Sequence, residues 1–315
     1  MAVKSRARSI ARRILGPAPQ VHVDITREMD DVKTMIGRQE SARVRAGKFD
    51  RLRDAEFSVF SQFGEDGIIQ YLISRVPIAN DVFVEFGVES YRESNTRFLL
   101  VNDNWRGLIL DGGTEHVAFL RENDLGWRHT IEAKSLFITR DNINGAIRDA
   151  GVSGDVGLLS VDIDGNDYWV LEAIDVVQPR ILICEYNSTF GPTAAVSVPY
   201  DPAFYRTNAH SSNLYWGASL AAFCRAADRK SMAFVGSNSA GNNAFFVRRE
   251  LLGDLRELTP AEGWVNARFR ESRDVTGKLT YLSSQAERLA AIAEMPLVDV
   301  TTGATTTVGA VAETR

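Results

Sequence analysis

Between about residues 57 and 250 the chain alternates short apolar runs with longer stretches whose apolar positions recur at helical spacing. The runs VFVEF (82–86), GLILD (107–111), GLLSVD (157–162) and RILICEY (180–186) are apolar on both alternating faces, and a weaker run lies near 129–133. Strands of that kind belong to a sheet covered on both sides. The segments SNTRFLLVND and YWVLEAI are long enough for crossover helices, so the pattern predicts a Rossmann-like α/β fold with a mostly parallel sheet. GASLAAFCRAADRK then reads as a helix, and SMAFVG and NAFFVRR, joined by SNSAGN, read as an antiparallel hairpin. An antiparallel last strand separates this pattern from the ordinary dinucleotide-binding fold.

The flanks differ from this centre. Residues 1–56 divide into a basic arm and a helical extension, in which Ile25, Met29, Val32, Met35 and Ile36 follow a helical period. That stripe has two uses, packing onto the chain's own domain or self-association into a homo-oligomer. The arm carries Ile10, Ile14 and Leu15 before Gly16 and Pro17 stop it. A solvated arm, peripheral contact with an anionic membrane and an organellar transit peptide all fit it. Residues 251–295 are expected to form a C-terminal helical cover, and 296–315, poor in large apolar residues, a disordered tail.

Composition narrows the class. With 44% hydrophobic and 24% charged residues among 315, the chain can bury a full core. Two cysteines, Cys184 and Cys224, supply neither a disulfide framework nor zinc-ligand spacing. No apolar run approaches the roughly 20 residues that span a bilayer, and the start lacks a secretory apolar core, so a cytoplasmic protein is expected. The net charge of -5 becomes more negative beyond the arm, because Lys4, Arg6, Arg8, Arg12 and Arg13 precede the first acid, Asp24. Nucleic acid is therefore not an expected partner.

Ligands of doubly wound sheets bind at the carboxyl ends of the strands. The first such loop, VEFGVESYRESNT, offers Glu85, Gly87 and Asn95 but no phosphate-binding glycine series, which disfavours nicotinamide cofactors. Asp111, closing the second strand, is placed to accept hydrogen bonds from two ribose hydroxyls. The preceding segment SQFGEDG could turn Gln62, Glu65 and Asp66 toward the same pocket, while Ser61 with Glu65 also fits a helix cap.

The segments FSQFGEDGIIQYL, VFVEFGVESYRESNT, LLSVDIDGNDYWVLEAI, ILICEYN, GASL and NAFFV, in this order over about residues 57–250, resemble the FkbM-like branch of class I S-adenosylmethionine-dependent methyltransferases. The resemblance implies a seven-stranded methyltransferase sheet, an adenosyl site around Glu85, Gly87 and Asp111, and O-methylation, often of sugars or natural products. Ser90 stands where many methyltransferases have a second loop glycine.

For the chemistry, methyl transfer to a hydroxyl needs a general base or a divalent cation. Asp162 with Asp164, and Glu185 with Asn187, lie two positions apart near neighbouring strand ends, where they could share magnesium. Asp162 and His210, the latter in the loop YRTNAHSSN, are the expected catalytic residues. Tyr186, Trp169, Tyr205, Tyr215 and Trp216 could line a sugar-binding face. The expected activity is thus O-methylation of a saccharide or glycosylated small molecule. The alternative is a non-catalytic module of the same fold, attached to a partner or membrane through its N-terminal helices.

Overall fold

The computed structural model describes residues 19–115, 117 and 125–313. The basic arm therefore lies outside the described residues. Five of the apolar runs become parallel strands, namely Val82–Phe86 (β1), Arg106–Asp111 (β2), Ile131–Ser135 (β3), Gly154–Val161 (β4) and Val177–Glu185 (β5). After the two-residue strand Val196–Ser197 (β6), the hairpin Met232–Ser237 (β7) and Asn243–Arg248 (β8) adds its second strand antiparallel to β5. Among the described residues, seven strands form one sheet in the order β3-β2-β1-β4-β5-β8-β7. This is the Rossmann-like methyltransferase sheet, mostly parallel, with the antiparallel strand read from the SNSAGN turn.

Alternation along the strands fills two separate cores. Val84, Phe86, Leu108, Leu110, Leu159 and Val161 enter one; Phe83, Ile109, Leu158, Ile181 and Ile183 enter the other. The first is covered by helices Ile143–Asp149, Asp167–Ala173 and Leu220–Arg229, and the second by Glu65–Arg75 and Arg97–Asp103. Strand order reverses between β1 and β4, which opens the ligand crevice of such sheets at their carboxyl ends.

The N-terminal helix, Pro19–Ala46 (α1), docks on its own domain, but not through its apolar stripe. Thr34, Gly37, Ser41 and Val44 are buried, whereas Ile25, Met29, Val32, Met35 and Ile36 are at least half exposed. Gly37 explains the choice, because a Cβ there would stand 2.4 Å from Val59 and 2.9 Å from Phe98. Close approach lets Ser41 donate to Gln70 at 2.6 Å and Arg97 pair with Asp30 at 2.8 Å.

Two expectations for the C-terminal part need correction. Residues 251–295 form only the helical turns Arg249–Leu251 and Pro260–Gly263 and the helix Gln285–Ala291, with irregular chain between them. The stretch expected as a disordered tail instead forms Pro296–Asp299 (β9), Thr305–Thr307 (β10) and a helix, Val308–Glu313. β9 pairs with both β6 and β10, and Leu297 and Val308 are fully buried. Two anchors and a backbone ladder suffice where composition promised no core.

Candidate functional site

The loop leaving β1 is built around Glu85. Its carboxylate accepts hydrogen bonds from the Ser94 hydroxyl, the Asn95 and Thr96 amides and the Thr96 hydroxyl. The acid thus caps the helix Arg97–Asp103 from inside the sheet and folds the loop back over the strand ends. Within it Gly87, Glu89 and Tyr91 all take positive φ, of 68°, 45° and 57°. For Glu89 and Tyr91 that conformation costs about 1 kcal/mol or more each, held in place by Glu89 N donating to Asp111 and by Tyr91 Oη bonding Thr96. Gly87 lies against the start of the β4 loop, where a Cβ would stand 1.8 Å from the Asp162 carbonyl oxygen. Asn95 spans the crevice to Ser160 of β4 at 3.1 Å.

Asp111 closes β2 and accepts from Glu89 N at 2.8 Å and Gly113 N at 2.7 Å, one bond to each oxygen.

The SQFGEDG segment is a buried pedestal. Asp66 accepts from the amides of Val59, Phe60 and Ser61, and Glu65 from Phe63 N and the side-chain amides of Asn238 and Asn243. Glu65 and Asp66 are essentially inaccessible, while Gln62 is exposed. Glu65 therefore locks the helix Glu65–Arg75 to the β7–β8 turn, while Asp66 folds residues 59–61 back onto that helix. Burial pushes Asp66 up to about 6 against its three amide bonds.

Asp162 and Glu185 form the electrostatic centre. The pairing of Val161 with Cys184 sets Asp162 level with Glu185, close enough for the two carboxyls to repel one another. Burial, then repulsion from Glu185, Asp164 and Asp167, drives Asp162 well above the ordinary carboxyl value. Glu185 is raised to about 8, first by burial and then by Asp164, with Arg206 pulling the other way. Near neutrality the pair holds a proton. Glu185 Oε2 is buried with no hydrogen-bond partner, and Oε1 receives only a long 3.5 Å contact from Asn242.

The remaining acids of this region do other work. Asp167 clamps the turn after β4 by accepting from Ile163 N and Gly165 N, and burial raises it to about 6. Asp164 has left the strand in a left-handed conformation, φ 56°, and its carboxylate is bound by Arg206 at 2.6 Å. Asn187 spends its amide on Leu214 O, Trp216 O and Thr189 N. The magnesium set expected from Asp162, Asp164, Glu185 and Asn187 therefore does not fit. Among the described residues no three acidic, histidine or cysteine side chains converge as metal ligands.

His210 is held by Ser212, whose hydroxyl lies 2.8 Å and whose amide lies 3.2 Å from Nδ1. An amide donating to Nδ1 leaves the ring proton on Nε2 in the neutral form, so the lone pair a base needs is already engaged. The aromatic face also dissolves. Tyr186, Tyr215 and Trp216 are buried, Trp169 is tied to Val198 O, and Tyr205 alone of the five is exposed. Arg206, which the spacing did not mark, stacks over Trp216 at 4.7 Å and bridges Asp164 and Glu271.

These buried acids fix how stability depends on pH. Asp66, Asp167 and Glu185 bind protons more tightly when folded than at their ordinary values of 3.8, 3.8 and 4.5. Their stabilisation is complete below about pH 4 and is lost as pH rises through 6 and then 8. Urea midpoints are accordingly expected to fall between about pH 4 and 8, most steeply below about pH 6. A midpoint flat across that window would contradict the assignment.

No protein-family model matches the chain, and no curated protein matches it. Solved structures that resemble it include the N-terminal domain of EvdMO1 with SAH bound, at 13% identity over 68% of this chain and 94% of that one, TM-score 0.38. A putative O-methyltransferase from Klebsiella pneumoniae is 12% identical over 82% and 96%, TM-score 0.35. The CurJ carbon methyltransferase is 10% identical over 74% and 70%, TM-score 0.37. At such values these likenesses add nothing to what the strand order already states. Among the described residues no helix is long and apolar enough to cross a membrane.

Proposed function

We propose that the chain is an S-adenosylmethionine-dependent methyltransferase of the FkbM-like kind, acting on a hydroxyl of a saccharide or glycosylated small molecule. The observation that carries this reading is the reversal of strand order between β1 and β4, where a loop without phosphate-binding glycines meets Asp111 at the end of β2. S-adenosylmethionine, when bound, supplies a methyl group made electrophilic by its sulfonium. Asp111 would hold the ribose diol, and Gly87 and Asn95 would shape the floor where the loop meets Asp162 and Ser160.

The chain's own contribution to the chemistry is the Asp162–Glu185 pair. The unpartnered Glu185 Oε2 is a ready acceptor for the proton of a substrate hydroxyl, and its value of about 8 keeps proton affinity near the working range of a base. With the cofactor bound, the Glu185 carboxylate would take the proton of the substrate hydroxyl as that oxygen displaces the thioether from the methyl carbon. The saccharide class rests on the family resemblance alone.

Calorimetry tests the cofactor half. Asp111→Ala is expected to weaken S-adenosylhomocysteine binding at least tenfold, about 1.4 kcal/mol. Unchanged affinity would remove Asp111 from the site. One observation favours a second reading, a non-catalytic module: the carboxylate of Glu85 is already bonded throughout to its own loop. A folded sample that binds neither form of the cofactor would select that reading.

A further inference from the structure

Helix α1 presents its two faces the wrong way round for a domain that is alone. The face against the domain is small and polar, with Asp30, Thr34, Gly37 and Ser41, while Ile25, Met29, Val32 and Ile36 stand 50–57% exposed. Their spacings of four, three and four residues are those of the d and a positions of a heptad, with Met35 beside the seam at g. The docked residues fall on b and f, the opposite side of the wheel. A second helix could therefore lie along the stripe without touching either domain.

We propose that this stripe is a homodimer interface, in which α1 pairs with α1 of a second copy as a short parallel coiled coil flanked by the two domains. Charge complementarity argues for this occupant and for its direction. In that register Glu28 occupies g and Lys33 the e position five residues on, so each Glu28 meets Lys33 of the other copy, twice by symmetry. Both side chains are exposed in the single chain. An anionic membrane, the other surface that takes an apolar helix face, is disfavoured by Glu28 and Asp31 at the margins of the stripe.

The interface is small. Residues 25–36 cover about 18 Å of helix, and Gln39 and Arg43 end the apolar seam. Contacts below about 1,000 Å² are transient, but docking on the domain already orders α1, which removes part of the cost of association. Self-association is expected at concentrations on the order of 10–100 μM.

Sedimentation velocity of the full chain from about 5 to 200 μM reads this directly. The wild type is expected to move from monomer to dimer across the range. Met29→Asp with Val32→Asp should remain monomeric throughout with unchanged circular dichroism, since neither residue supports the single chain. Glu28→Lys should shift dimerisation to several-fold higher concentration, and adding Lys33→Glu should restore it, a rescue that the parallel register requires. A wild type that stays monomeric would overturn the proposal, as would a dimer that survives in Met29→Asp with Val32→Asp. Binding of a monomeric wild type to phosphatidylserine vesicles would replace the second copy with a lipid surface.

Discussion

Glu185→Gln is expected to lower turnover by roughly 10²- to 10⁴-fold, the range of a lost general base, while S-adenosylhomocysteine affinity stays within about twofold. The amide preserves the volume at the end of β5 but cannot take the proton of an acceptor hydroxyl. It also removes the repulsion of Glu185 with Asp162, Asp164 and Asp167. The variant should therefore be more stable than the wild type above about pH 8, by about 1–2 kcal/mol, as active-site acids often are when neutralised. Single-turnover rates and urea melts on one preparation give both readings. Full turnover in Glu185→Gln would end the role of the acidic pair as base.

Gly87→Ala should be the most damaging single methyl in the domain. The new carbon would stand 1.8 Å from the Asp162 carbonyl oxygen at a position whose φ is already +68°. Overpacking and a left-handed non-glycine residue together cost about 3–5 kcal/mol. A fall in melting temperature of roughly 10 °C follows. The collision partner is backbone just past the end of β4 rather than a pliant side chain, so the loop after β1 must withdraw. Gly145→Ala is the internal control, because it lies within helix Ile143–Asp149 with nothing inside 4 Å. That change should be neutral or slightly stabilising. Equal melting temperatures for the two variants would refute the close approach.

The strands and the hairpin were legible because their signals are local. VFVEF, GLLSVD and RILICEY carry their periodicity within a few residues, and SNSAGN carries its own turn chemistry. The site was legible only as positions. Asp162 and Asp164 lie on one side only if the chain stays extended, yet β4 stops at Val161 and Asp164 turns left-handed, delivering its carboxylate to Arg206. Asn187 repeats the spacing after Glu185, but its amide meets the Leu214 and Trp216 carbonyls, which come from a loop almost thirty residues on. Glu65 was read as facing a pocket, whereas its partners lie at Asn238 and Asn243. No window of sequence contains such pairings. The face of α1 was hidden for a related reason: a helix approaches wherever its smallest residue permits, and Gly37 permits it on the polar side.

The bonds from Asn238 and Asn243 to Glu65 span 173 and 178 positions. During synthesis the first five strands leave the ribosome well before either asparagine does, so the pedestal acid waits for its amides until the hairpin has emerged. Until then Glu65 has water or the Phe63 amide as partners and keeps that edge of the nascent domain hydrated and open. Completion of the β7–β8 turn is what closes this edge, and the last two strands of the seven-stranded sheet are the ones that finish the helix Glu65–Arg75.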